Sequence, residues 1–311
     1  MDGCCALDSS SYARLRSVIE ESLETPSDFI PGETPIPLSA PTFGAEEILE
    51  AIDSLVSRNV TMGKKVANFE KLFSDYIGAK NSIMVNSGSS ANLVALSVLA
   101  SPLLEKRIGR GDEVITPAVT WSTTVFPIVS VGAIPVFVDE ELDTFDLDPE
   151  LVENAITEKT RAIMPVHLLG NPCDMRAIES TASEHNLFVV EDACEAPGAE
   201  LDGKKVGTFG DIGTFSFFFS HHISTIEGGM VVTDDNKYAD LARSLRAHGW
   251  IRERSDSESL SAKYCSFDRR FLFVSLGYNL RPTEIQGAFG IHQMKKLEQL
   301  IRLREENAAY W

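Results

Sequence analysis

Basic residues are under-represented in this 311-residue chain: 28 lysines and arginines face 46 aspartates and glutamates, for a net charge of −18. Nucleic acid and anionic membrane surfaces both demand a basic footprint, so neither is expected as a partner. A small anionic ligand stays open, because local N–H donors bind phosphate whatever the net charge. Cysteine is scarce too. Cys4, Cys5, Cys173, Cys194 and Cys265 contain no CxxC pair and are odd in number, which argues against a disulfide framework and points to a reducing cytoplasm. The longest apolar run, LVALSVLASPLL at 93–104, contains a proline and falls short of the roughly 20 residues that a membrane helix needs. The N-terminus has no basic start followed by an apolar block, so no signal peptide is expected. No GxGxxG follows a strand pattern, and the dinucleotide fingerprint is missing.

What remains is an ordinary globular composition, 43% hydrophobic and 24% charged, long enough to bury a sizeable core. Residues 1–24 read as an amphipathic helix, and the proline-rich 25–41 reads as an extended arm. From Gly44 helical and strand periods alternate. Helices are predicted near 45–57, 66–76, 89–100, 124–132, 149–157 and 174–185, with short strands at 82–86, 112–117, 134–139, 161–167 and 187–192. A further short strand opens FSFFFSHHISTIEGGMVVTDD (215–235), and another starts at its glycine pair. This alternation predicts an α/β fold with a mostly parallel sheet covered by helices. The expected organisation is an N-terminal helix and arm (1–41), a large α/β domain (42–281), and a long helix (282–311). That helix runs to the chain end without a C-cap, so the chain is expected to be cut short before a small C-terminal domain.

Five stretches could carry chemistry. In VNSGSSANLVAL (85–96) a strand, a turn and a helix put Gly88, Ser89 and Ser90 at a helix start, either a phosphate cradle or a plain cap. Asp192, at a strand end, is either a helix cap or a carboxylate that bonds a protonated ring nitrogen. Trp121 follows another strand and is either core or a platform for a flat ring. The loop GYNLR concentrates Tyr278, Asn279 and Arg281, which suits anion binding or simply a turn. Last come His221 and His222, adjacent in a polar turn where a fold needs no imidazole.

In this order the motifs resemble the DegT/DnrJ/EryC1/StrS family of pyridoxal-phosphate sugar aminotransferases. The matching stretches include NSGSSANLVAL, VITPAVTWSTTVFPIVSVGAIPVFVD, PVHLLGNPCDM, VVEDACEAPGA, GTFGDIGTFSFFF, EGGMVVTDD and LGYNLRPTEIQGAFG, across about 36–311. The resemblance implies the aspartate aminotransferase-like fold (type I) and a homodimer with shared sites. It carries phosphate binding to Ser89 and Ser216, ring stacking to Trp121, the ring-nitrogen partner to Asp192, and a reach toward the partner's cofactor phosphate to Asn279.

One departure redirects the reading. Aminotransferases of the family hold a lysine five residues after the serine matching Ser216, and here that position is His221. An imidazole cannot form the imine that lysine's amine makes with the cofactor, yet it remains a capable base near neutral pH. The replacement resembles the branch of nucleotide-sugar 3-dehydrases that use pyridoxamine phosphate. It implies removal of the C3 hydroxyl from a nucleotide-linked 4-keto-6-deoxy hexose in deoxysugar or O-antigen synthesis, with His221 as base and His222 and Arg281 as auxiliaries. One type within this branch carries an iron–sulfur cluster. Cys194 matches its first ligand, but the 252–275 segment offers only Cys265, so no cluster and no other metal is expected. Cofactor regeneration from an amino donor such as glutamate is the implied alternative. A sugar aminotransferase, or a cofactor-binding homologue without catalysis, are the competing readings.

Overall fold

The computed structural model describes residues 8–23, 29–37 and 39–310. Part of the predicted N-terminal helix and arm, with Cys4 and Cys5, lies outside these residues. Helices α1 (Ser9–Ser22), α2 (Ala45–Val56) and α3 (Lys64–Ile77) precede strand β1 (Asn81–Val85). Then come α4 (Gly88–Leu99), β2 (Glu113–Pro117), α5 (Ser122–Ser130), β3 (Ile134–Val138), α6 (Pro149–Ala155), β4 (Thr160–Ile163) and α7 (Met175–Glu184). The chain continues through β5 (Phe188–Asp192), a ribbon of β6 (Glu200–Leu201) and β7 (Lys204–Lys205), β8 (Ile212–Ser216) and β9 (Gly229–Thr233). Helices α8 (Asn236–Arg246), α9 (Ser257–Lys263), α10 (Glu284–Gln293) and α11 (Leu297–Tyr310) close it.

Seven strands form one sheet in the order β1-β9-β8-β5-β4-β2-β3. Neighbours pair in parallel from β3 to β8, while β9 runs antiparallel to both β8 and β1. The sheet is therefore mostly parallel, with helices around it. Strands β5, β8 and β9 are buried along their whole length, which accounts for their continuous apolar character. Helix α4 buries Ala91, Val94, Ala95, Leu96, Val98 and Leu99 against this core. The second cluster, built on Ile115, Ile163, Met175, Ile178 and Val189, fills the space toward α6 and α7.

The described residues divide into two compact units. The sheet unit comprises Phe73–Ser216 and Gly229–Arg281; the other comprises the N-terminal residues to Leu72, Phe217–Gly228 and Pro282 onward. In the second unit α2 packs on α10. Glu284 accepts from the N–H groups of Lys65 (2.7 Å) and Val66 (3.3 Å), capping the start of α3 from afar. Buried Gln293 donates to Glu47 (2.7 Å) and accepts from the Ser224 N–H (3.0 Å), so it ties the 217–228 segment to the α2–α10 pair.

Three local expectations change. The final segment is two helices, because Lys295 and Lys296 bond three residues back, to His292 and Gln293, and tighten the chain into a turn. The strand expected over 161–167 stops at Ile163; Pro165 has no N–H to offer a ladder, although Val166 still bridges Asp192. The strand preceding the histidines begins at Ile212 and ends at Ser216, so the phenylalanines beyond it leave the sheet.

Candidate active site

Parallel strands direct their carboxyl ends to one edge of a sheet, and ligands bind there. Val85, Ser216 and Gly229 fall in one row across β1, β9 and β8, since Gly229 pairs with both of the others. A side chain on Gly229 would lie 2.3 Å from the Ser87 carbonyl oxygen. Only glycine lets the turn after β1 come this close. Ser87 caps α4, accepting from the Ser90 N–H at 3.1 Å. A Cβ on Gly88 would meet Ser216 Cβ at 2.5 Å and Cys194 Sγ at 3.0 Å. The first backbone N–H groups of α4 thus adjoin Ser216, as a phosphate cradle requires. Ser89 is exposed, and its hydroxyl donates to Thr123 Oγ1 at 2.9 Å.

Trp121 is the residue before α5 and is 75% exposed, so it is not a core tryptophan. Asp192 ends β5 and is buried. Its Oδ2 accepts from Asn92 Nδ2 and from Thr124 Oγ1, each at 2.8 Å, and its Oδ1 accepts from the Cys194 N–H at 3.2 Å. The Cys194 thiol lies alongside, where burial and the Asp192 charge push its pKa well above the ordinary thiol value. Asn279 and Arg281 are exposed on their loop and bonded to each other at 3.2 Å; Leu280 accepts from the Asn86 N–H at 3.0 Å, pinning that loop to the end of β1.

His221 and His222 lie in the other unit. The His221 N–H donates to the Phe218 carbonyl (3.0 Å), and the two rings meet edge to face at 6.3 Å. Arg304, on α11, donates to the His221 carbonyl at 3.3 Å. His222 Nδ1 is shut off from water without a hydrogen-bond partner. Burial first, then the Arg304 guanidinium and the neighbouring imidazole, pull the His222 pKa down to about 4, so this ring is neutral at pH 7. Ile226, in the same segment, has φ +70°, a strained value for a β-branched residue.

The sequence reading missed the polar partners. Asn92 is a lone amide in an apolar helix, and Thr124 and Thr214 are unremarkable in isolation. A buried pair, His167 and Glu191, stands behind Asp192: the Cys173 N–H donates to His167 Nδ1 (3.1 Å), so Nε2 carries the hydrogen that Glu191 receives at 3.1 Å. Glu191 also accepts from Gly207 and Gly210 N–H, both at 2.6 Å. Glu191, next to Asp192 in LFVVED, went unread because its partners come from residues 167, 207 and 210.

Pyridoxal and pyridoxamine phosphate fit these residues. Gly88 has no side chain to keep the start of α4 from closing onto Ser216, Asp192 is a buried carboxylate with a less occupied oxygen, and Trp121 offers an uncovered ring. Residues 41–311 match the DegT/DnrJ/EryC1/StrS aminotransferase family. A GDP-4-keto-6-deoxy-D-mannose 3-dehydratase of Yersinia pseudotuberculosis is 46% identical over 275 residues, 88% of this chain and 70% of that protein. The E. coli GDP-4-keto-6-deoxy-D-mannose-3-dehydratase with bound hydrated PLP superposes with a TM-score of 0.84 at 40% identity, covering 88% of this chain and 71% of that one. A GDP-4-keto-6-deoxymannose-3-dehydratase with a trapped PLP-glutamate geminal diamine also gives a TM-score of 0.84 at 40% identity, with 89% and 72% covered. The chain has the pyridoxal-phosphate-dependent aminotransferase fold and belongs to the DegT/DnrJ/EryC1/StrS family.

Proposed function

We propose that this chain is a 3-dehydrase that uses pyridoxamine phosphate to remove the C3 hydroxyl of a nucleotide-linked 4-keto-6-deoxy hexose. The observation that carries the reading is His221, which takes the family's lysine position in a sequence that otherwise keeps the full set of cofactor residues. No lysine occurs anywhere in 215–235, so the aminotransferase alternative lacks its primary amine. The relatives support the sugar class: the 46%-identical one is named for a GDP-linked 4-keto-6-deoxymannose. Glutamate as amino donor is supported by the homologue trapped with a PLP–glutamate adduct.

When bound, the cofactor would supply an electron sink for C–H cleavage and, as pyridoxamine phosphate, the two electrons that loss of the C3 hydroxyl requires, which the amino donor restores. The α4 N-terminal N–H groups, Ser89 and Ser216 would hold its phosphate, Trp121 would stack on its ring, and Asp192 would receive its ring N–H. His221 would take the proton of the cofactor's C4′ carbon onto an imidazole nitrogen and deliver it to the C3 oxygen, which departs as water. His222, neutral at working pH, adds no charge to repel that protonated form. A homodimer is part of the proposal. Phe126 on α5, Phe137 on the edge strand β3 and Val119 in the turn before α5 are exposed apolar side chains, and Asn279 and Arg281 stand exposed for a partner's phosphate. The test is incubation with pyridoxamine phosphate, glutamate and a panel of nucleotide 4-keto sugars, GDP-linked first, with mass spectrometry of the sugar. Loss of the C3 oxygen is expected; a 4-amino product would overturn the reading in favour of transamination.

A further inference from the structure

Asp192 is held by a directed chain of side-chain hydrogen bonds that begins on two elements and ends on one of its oxygens. Thr214 Oγ1 has two acceptors in reach, the Glu191 carbonyl at 3.1 Å and Asn92 Oδ1 at 2.6 Å; donation along the shorter contact fixes that amide so that Nδ2 points at Asp192 Oδ2. From the other side, Thr124 donates its only hydroxyl hydrogen to the same Oδ2 at 2.8 Å; in the contact between Thr120 and Thr124, 2.9 Å long, Thr120 is then the donor. Asn92 Nδ2 has a second acceptor, the Thr123 carbonyl at 3.2 Å. That carbonyl is available because Pro127 stands four residues on and has no N–H to give it. Proline inside α5 is therefore part of the site.

We infer that Thr124, Asn92 and Thr214 are positioning residues that saturate Asp192 Oδ2 and so reserve Oδ1 for the cofactor's ring N–H. This rests on the cofactor reading above. The geometry is over-determined: Oδ2 has two donors from α4 and α5, whereas Oδ1 has one backbone N–H at a longer 3.2 Å. The Cys194 thiol, which also interacts with the Asp192 side chain, is only a weak donor, kept neutral by its raised pKa. The same turn of α5 carries Trp121 and receives Ser89, through Thr123, so one short segment registers ring platform, phosphate turn and carboxylate. Donors fixed in a water-poor setting act without reorganising when charge develops on the ring.

Thr124→Val keeps the shape of the side chain and deletes its donor; Thr214→Val does the same at the far end, where a folding defect in one need not recur in the other. Both are expected to lower kcat roughly ten-fold or more, with pyridoxamine phosphate affinity within about three-fold of wild type. In each, the 15N resonance of ring-labelled bound cofactor should move toward the unprotonated position, and Thr124→Ser should restore it. On an Asp192→Asn background Thr124→Val should add little, because its target is gone. Wild-type kcat and an unmoved resonance in Thr124→Val, with Asp192→Asn still impaired, would overturn the positioning inference alone. Equal losses of affinity and melting temperature with no 15N change would also overturn it, as a packing role. A wild-type protein that binds no pyridoxamine phosphate would defeat the cofactor reading itself.

Discussion

Asp192 and His222 are polar groups withdrawn from water, and their surroundings are opposites. Asp192 receives three hydrogen bonds from two side chains and a backbone N–H, at the end of a strand buried along its length. His222 has a nitrogen with no partner, a cation nearby, and a strained Ile226 four residues on. The first environment holds a group still for a ligand. The second stores unfavourable contacts in a loop that carries His221, the base of the proposed reaction. Rigid donors suit a permanent electrostatic partner, whereas a proton-transfer loop tolerates, and can use, a less stable setting.

The strongest way to break this contrast is to change the loop's chemistry while keeping the cradle. His221→Lys is expected to lower 3-deoxygenation roughly a thousand-fold, measured as loss of the C3 oxygen. Borohydride reduction in the presence of pyridoxal phosphate should then attach the phosphopyridoxyl group within 215–235, where the wild type is expected to show no adduct. Deoxygenation retained at full rate would show that His221 is not the base.

Asp192→Asn tests the cradle side. Turnover should fall roughly a hundred-fold while pyridoxamine phosphate affinity changes far less, because the side chain still fills its site but no longer carries charge. Parallel titration and steady-state kinetics decide this; a near-normal rate would reduce Asp192 to a structural acceptor.

The histidine loop should also make the protein sensitive to acid. An unfolded His222 titrates near 6.5, but in the fold its pKa is about 4. Between those values the unfolded chain binds more protons, so stability falls as the pH drops from 6.5 toward 4. His222→Phe should flatten that part of the curve, with a gain on the order of 1–3 kcal/mol at pH 4.5 and little at pH 7.5. Urea midpoints at the two pH values measure it, and an unchanged slope would mean that His222 does not feel the burial assigned to it. The smallest effect is expected at Ile226. Glycine relieves its positive φ but adds freedom to the unfolded chain, for a net gain of about 0.5 kcal/mol. A loss of stability would show that the exposed Ile226 side chain matters more than its backbone strain.

Much of the fold was legible because short buried strands and amphipathic helices have different periods, and both appear along 45–192 in alternation. The turn after β1, the strand-end Asp192 and the adjacent histidines were visible as residue types in suggestive places. Their partners were not. Asn92 lies 100 residues from Asp192 in sequence, and Thr214 lies 122 from Asn92, so no local pattern links them. Pro127 illustrates the limit: locally it reads as a flaw in a helix, and only the distant Asn92 amide turns the freed Thr123 carbonyl into an acceptor that is used. The break after Gln293 escaped the same way, since Gln293 and Lys296 both turn onto Glu47, about 250 residues earlier.

By itself the sequence determined the alternation of strand and helix, the family to which the motifs belong, and the replacement of an amine by an imidazole at position 221. Each of these is a property of residue identity and spacing along one stretch of chain. Tertiary structure decided which oxygen of Asp192 is already occupied, that Trp121 is uncovered rather than core, and that His222 is held neutral. Those depend on which donors, charges and apolar surfaces arrive from remote segments, and hydrogen bonding and desolvation act over a few ångströms of space, whatever the separation in sequence.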